Sequence, residues 1–187
     1  MTRTRIHNFS ISLDGFATGE GLALDAPFGH AGHRLHEWMF ATRFGAPILG
    51  REGGSAGVDN AFAQQHEPGI GAEIMGAGKF GPPGWQDDAD WKGWWGPNPP
   101  FHTPTFVLTH RPRPSIEMEG GTTFHFLDAA PAEALEAARG AGDGQDVRIA
   151  FFKHPMAFIQ GLQDAGRVVA DAHGHTQQAV HIEGDVF

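Results

Sequence analysis

The chain has 187 residues, a length that suits one domain built on one sizeable core. Its formal charge of -9 argues against a nucleic-acid or anionic-membrane binder, and the absence of cysteine removes disulfides, thiolate catalysis and zinc–thiolate sites. No apolar stretch approaches a bilayer span and Arg3 and Arg5 lead into no secretory pattern, so a cytoplasmic protein is expected. Glycine and proline, 27 and 13 residues, predict long and shaped loops.

The first predicted element is a strand over residues 5 to 13, where Ile6, Asn8-Phe9, Ile11 and Leu13 alternate and Asp14-Gly15 closes the run. A glycine-rich loop follows over 16 to 30. Leu35, Trp38, Met39 and Thr42 have helical spacing, and Ser55 reads as the cap of a short helix with Val58 and Phe62 on one side. Ala72 to Gly76 is a short buried strand. A Gly/Pro/Trp loop covers 77 to 104, and Thr105 to Thr109 is a strand that Pro112 and Pro114 keep from extending centrally. Ile116 to Met118 and Thr122 to Leu127 are strands separated by Gly120-Gly121. Pro131 opens a helix that stops near Gly140, Asp146 to Phe152 is an apolar strand, and Pro155 opens a last helix ending at Gly166. Strand alternating with helix implies parallel pairing with right-handed crossovers.

Three of the five tryptophans, Trp91, Trp94 and Trp95, fall in the irregular loop, beside the β-rich Thr105-Phe106-Val107-Leu108-Thr109-His110-Arg111. Such a loop is costly to order. Its aromatic rings either wall a ligand cleft at a strand end or plug one edge of the core. Asp14-Gly15 stands where a strand ends, as a ligand-orienting carboxylate or as a turn. Thr109 and Arg111 can meet a phosphate, or can simply be polar residues at a surface strand end. His30, His33 and His36, and His173 with His175, have spacings that invite a metal, but without further motif partners they read as solvated or core histidines. No metal is expected.

Ile11-Ser12-Leu13-Asp14-Gly15-Phe16, Ile74-Met75-Gly76, the Trp loop, Phe106-Val107-Leu108-Thr109-His110 and Met118-Glu119-Gly120-Gly121-Thr122-Thr123-Phe124 occur in this order. Together they resemble the bacterial RibD C-terminal-like reductases, relatives of dihydrofolate reductase, over residues 1 to about 149. The resemblance implies a dihydrofolate-reductase-like three-layer α/β sandwich with a mostly parallel central sheet. It implies NADPH-dependent hydride transfer to a small heterocyclic substrate, of the riboflavin pathway or folate-like. Asp14 would orient that substrate, Trp91, Trp94 and Trp95 would line its cleft, and Gly76, Thr109 and Arg111 would contact the cofactor.

The sequence departs from the family at two places. Ala77 stands where many members carry arginine, leaving Lys79 as the nearby positive charge. Phe151-Phe152 replaces the glycine turn at which backbone N–H groups approach the pyrophosphate, so weak NADPH binding is expected, with Lys153 as a remaining attraction for an anion. After Ala150 the resemblance fades, and the strand expected to end the family's sheet has no counterpart before Phe187. An incomplete edge predicts a homodimer. The alternative to a reductase is a non-catalytic binding or interaction protein that keeps the fold and has lost the cofactor site.

Overall fold

A computed structural model describes residues 2–6, 10, 12–13, 16–65 and 68–150. Its centre is an α/β arrangement: a sheet of β1 (Thr4–Arg5), β2 (Ile70–Gly76), β3 (Pro104–Leu108), β4 (Ile116–Glu117), β5 (Thr123–Leu127) and β6 (Asp146–Ala150). The order across the sheet is β1-β6-β2-β3-β5-β4. Every pairing is parallel except that of β4 with β5, which is antiparallel.

Parallel strands buried on both faces need near-continuous apolar sequence. β2 follows this rule, being buried from Ile70 to Met75 and exposed only at Gly76. Ala72 and Ile74 project to one face with Phe106, Val147 and Ile149, where Ala134, Leu135 and Ala138 of helix α4 (Pro131–Ala141) cover them. α4 starts as its sequence suggests: Pro131 is its first residue, and the Ala130 N–H donates to the Glu133 carboxylate at 3.0 Å. Met75, Val107, Phe124, Phe126 and Ala150 project to the opposite face, beneath Phe80, Trp85 and the half-buried Trp91, Trp95 and Phe101. The result is three layers, with α4 on one side and an aromatic loop on the other.

Two close approaches hold these layers in register. A Cβ at Gly71 would stand 2.1 Å from the Gly142 carbonyl oxygen, so α4's exit loop rests directly on β2, at the point where the β2–β6 register shifts. At Gly120, with φ of 72°, a Cβ would meet Asn98 Oδ1 at 2.2 Å, which seats the β4–β5 turn against the Pro-rich loop.

Several expectations need correction. The described part of the first strand is only Thr4–Arg5; Asn8, Phe9 and Ile11 lie outside the described residues. The helical spacing over 35 to 42 yields a 3-10 turn, Gly32–His36, and a single α-turn, α1 (Glu37–Phe40). Ser55 caps nothing. Its backbone bonds to Ala41 and Arg43, while α2 (Val58–Gln64) begins after Gly57 without a side-chain cap. The side of α2 that carries Val58 and Phe62 turns outward. Val58 and Phe62 are exposed, and α2 reaches inward through Ala63 and Asn60, whose Oδ1 accepts the Phe44 N–H at 2.9 Å. Among the described residues no helix is long and apolar enough to cross a membrane.

Candidate functional site

The parallel register brings the carboxyl ends of β2 and β3 together, with Gly76 opposite Leu108. In open α/β sheets such ends form the customary ligand edge. Gly76 leaves β2 in extended conformation and leads into α3 (Ala77–Phe80). Gly76 and Gly78 are exposed, and nothing lies within 4 Å of where a Cβ would stand on either. Thr109 is buried next to this edge. Its N–H donates to the Leu127 carbonyl at 2.8 Å, and its hydroxyl oxygen accepts the Arg111 N–H at 3.2 Å. The Arg111 guanidinium is exposed and donates to Asp87 at 2.5 Å. That hydrogen bond, and then the guanidinium charge, holds the Asp87 carboxyl below the usual range. Thus Gly76 and Thr109 lie at adjoining strand ends, and Thr109 and Arg111 are already engaged within the chain. His110 and Asp128, ending β3 and β5, meet there at 3.0 Å.

The tryptophan loop packs largely into the core. Trp85 is buried at 3% exposure, its Nε1 donating to the Ala77 carbonyl at 3.0 Å, and its ring meets Phe80 at 4.7 Å. Trp91 donates to the Phe80 carbonyl at 3.1 Å, and Trp95 stacks 6.0 Å from Phe124. These rings plug the core. Trp94 meets Trp91 edge-on at 5.0 Å, and Trp91 also borders an open cavity of about 380 Å³ shared with Asp88, Asp90, Lys92 and Met118. Arg113 clasps the loop from the far side. It donates to the Asp88 and Trp91 carbonyls and lies over the rings of Trp85 and Phe126, at 5.0 and 4.8 Å.

A third group joins two residues already noted, Lys79 and His36, to two that were not, Glu73 and Arg148. Glu73 of β2 and Arg148 of β6 are paired across the sheet, and the guanidinium donates to Glu73 Oε1. Both side chains are buried, and among the described residues Glu73 Oε2 has no hydrogen-bond partner. Lys79 from α3 and His36 from the 3-10 turn complete the group. Burial, opposed by Glu73 and reinforced by Arg148, lowers the Lys79 pKa to about 8. The signal was present in the sequence: a single charge inside each of two apolar runs, Ala72-Glu73-Ile74 and Val147-Arg148-Ile149, with opposite signs.

His36 carries a measurable consequence. Its ring lies 4.7 Å from Phe28, and burial, then the Lys79 charge, lowers its pKa from 6.5 to about 4. The unfolded chain binds this proton near pH 6.5 and the folded chain only near 4, so stability should fall as pH drops through that window and level off below it. The expected loss is about 1–3 kcal/mol, allowing for partial solvent screening. Urea unfolding of the wild type and His36→Phe between pH 4 and 7 measures it. The variant should lose this part of the acid slope, and identical slopes would refute the assignment.

Asp14 and Lys153 lie outside the described residues, as do Phe151, Phe152, His173 and His175. Among the described residues no three histidine or acidic side chains gather in a way that would hold a metal ion. His33 instead stands 3.6 Å from Glu37. No protein-family model matches the chain, and no curated protein matches it either.

Proposed function

We propose that the chain is an NADPH-dependent reductase of a small heterocyclic substrate, on a fold of the dihydrofolate reductase kind. The observation that carries this reading is the edge where β2 and β3 end side by side, with the uncovered backbone of Gly76 to Gly78 next to Thr109 and Arg111. The ordered resemblance from Ile11 to Phe124 supports it independently. The protein's task in such a reaction is to align the nicotinamide with the substrate ring and exclude water, while the hydride belongs to the cofactor. Asp14 orients the substrate through its N–H groups, and the Trp91–Trp94 pair walls the approach. Arg111 receives the additional phosphate of NADPH once it leaves Asp87, and Lys153 adds attraction for the pyrophosphate.

One observation favours the non-catalytic alternative. Asp87 already neutralises Arg111, and the Thr109 hydroxyl oxygen is already used by the Arg111 N–H. Together with Ala77 and Phe151-Phe152, this makes weak NADPH binding the expected result. Titration with NADPH, followed by tryptophan quenching and calorimetry, should give a saturable but weak response. Asp87→Asn should tighten it by about tenfold, the equivalent of one recovered charge-assisted contact. Absence of a saturable response in both proteins would rule out the reductase and leave the binding protein.

A further inference from the structure

Helix α2 is oriented the wrong way round for a helix whose packing ends within one chain. Such a helix turns its large apolar residues to the core. α2 instead reaches inward through Asn60 and Ala63, and leaves Val58 and Phe62 at 71% and 46% exposure. The 3-10 turn Ala46–Leu49, earlier in the same segment, does likewise. Its buried residue is Ala46, while Ile48 and Leu49 stand 61% and 45% exposed. Four of the seven large hydrophobic residues exposed among the described residues thus fall between positions 48 and 62. A single exposed leucine has no meaning, but a concentration of this kind marks a contact surface.

The segment is one folded unit. The Ser55 N–H donates to the Ala41 carbonyl and the Arg43 N–H to that of Ser55, both at 2.9 Å. The Ala46 N–H donates to Thr42 at 2.9 Å, the Arg51 N–H to Ala46 at 3.0 Å, and the Phe44 N–H to Asn60 Oδ1 at 2.9 Å. The turn and α2 therefore ride on one scaffold.

Charge indicates what covers this surface. From Ala41 to Gln65 there are two arginines, Arg43 and Arg51, and two acids, Glu52 and Asp59, which cancel, so the whole formal charge of -9 lies on the rest of the chain. Two copies repel each other overall, and this segment adds nothing to the repulsion. All four charged side chains are exposed, and among the described residues none of them is in an ion pair. A surface that carries both signs can answer itself. Across a two-fold axis each base can meet an acid of the other copy, and each acid a base.

We propose that α2 and the turn Ala46–Leu49 form the contact face of a two-fold homodimer, with the four apolar side chains at its centre and the four charges at its rim. The face involves no strand of the sheet, and it stands whether or not the chain is a reductase.

Sedimentation equilibrium of the full chain at micromolar concentration should give twice the chain mass. Val58→Asp and Ile48→Asp each bring two carboxylates into the apolar centre and should raise the dissociation constant at least about a hundredfold, so that both variants sediment as monomers. Val58 opens α2, where a carboxylate suits the helix, and both side chains are already mainly exposed, so the circular dichroism should stay that of the wild type. Glu136→Gln, on the exposed side of α4, should leave the dimer intact. Hydrogen exchange needs no variant: amides from Ala41 to Gln65 should exchange more slowly as the wild-type concentration rises through the dissociation constant, while those of α4 stay unchanged. A wild type that stays monomeric at micromolar concentration, which would leave the face to a different occupant, overturns the proposal. So do dimers that survive both aspartates, or exchange in this segment that does not depend on concentration.

Discussion

Replacing Arg148 with Met should lower stability by about 3–5 kcal/mol, a large effect for one residue far from any surface. The substitution retains most of the volume and hydrophobic contact but removes the guanidinium from Glu73. A fully buried carboxylate would then lose its ion-pair partner, and among the described residues one of its oxygens already lacks a hydrogen-bond partner. The double variant Glu73→Leu/Arg148→Met removes both charges and should regain most of the loss, because a paired buried charge stabilises little more than well-packed hydrocarbon of the same size. Lys79 makes this recovery depend on pH. Glu73 is the carboxylate that supports the Lys79 ammonium, so without it the recovery should be greater above pH 8 than at pH 6. Urea unfolding of the four proteins of the cycle at both pH values gives the coupling energy directly. A single-variant cost below about 1 kcal/mol would mean that Glu73 and Arg148 are not buried partners.

Trp85→Ala should cost about 3–5 kcal/mol as well, by a different route. The indole fills the space between Phe80 and Phe126, with ring centroids at 4.7 and 5.7 Å, and carries the Arg113 guanidinium on its face. Removing it leaves a cavity, takes one of two donors from the Ala77 carbonyl, which the Gly81 N–H still reaches, and takes one ring from beneath the Arg113 guanidinium. Trp85→Phe keeps most of the filling and should cost only about 1–2 kcal/mol, chiefly the lost hydrogen bond. The two variants therefore separate packing from the polar contact. Thermal unfolding followed by near-ultraviolet circular dichroism tests them, and similar losses for Phe and Ala would mean that the hydrogen bond, not the ring, anchors the loop.

Most strands were legible because each is an apolar run bounded by glycine or proline. Ala72 to Gly76, Thr105 to Thr109 and Thr122 to Leu127 each differ from the observed strand by no more than two residues at either end. Their order across the sheet was not legible. β6 inserts between β1 and β2, and nothing local to Asp146–Ala150 specifies which edge its crossover from β5 will reach. The burial direction of α2 was not legible for a related reason. Val58 and Phe62 share a helical face, yet the core is reached by the small Ala63 and the hydrogen-bonding Asn60, so periodicity found a face without telling which side it turns to. At the candidate site, aromatic density identified the tryptophan loop but could not distinguish lining from filling. The structure packs Trp91 against the aromatic core and leaves part of it beside an open cavity. The ion pair escaped notice because a lone charge inside an apolar run reads as noise until its partner strand is known.

The pairing of β1 with β6 has a consequence for how the chain is made. Arg3 and Asp146, 143 positions apart, are joined by a 2.8 Å hydrogen bond, and Thr4 and Arg5 pair with Val147 and Arg148. On a ribosome the N-terminal strand emerges long before its partner, and for most of translation it has no edge to join. Closing so long a loop gains little until β2, β3 and β6 already stand together. β1 is thus made before the other described strands of this sheet yet docks after them, and until it does, the nascent sheet presents the bare edge of β6 to its surroundings.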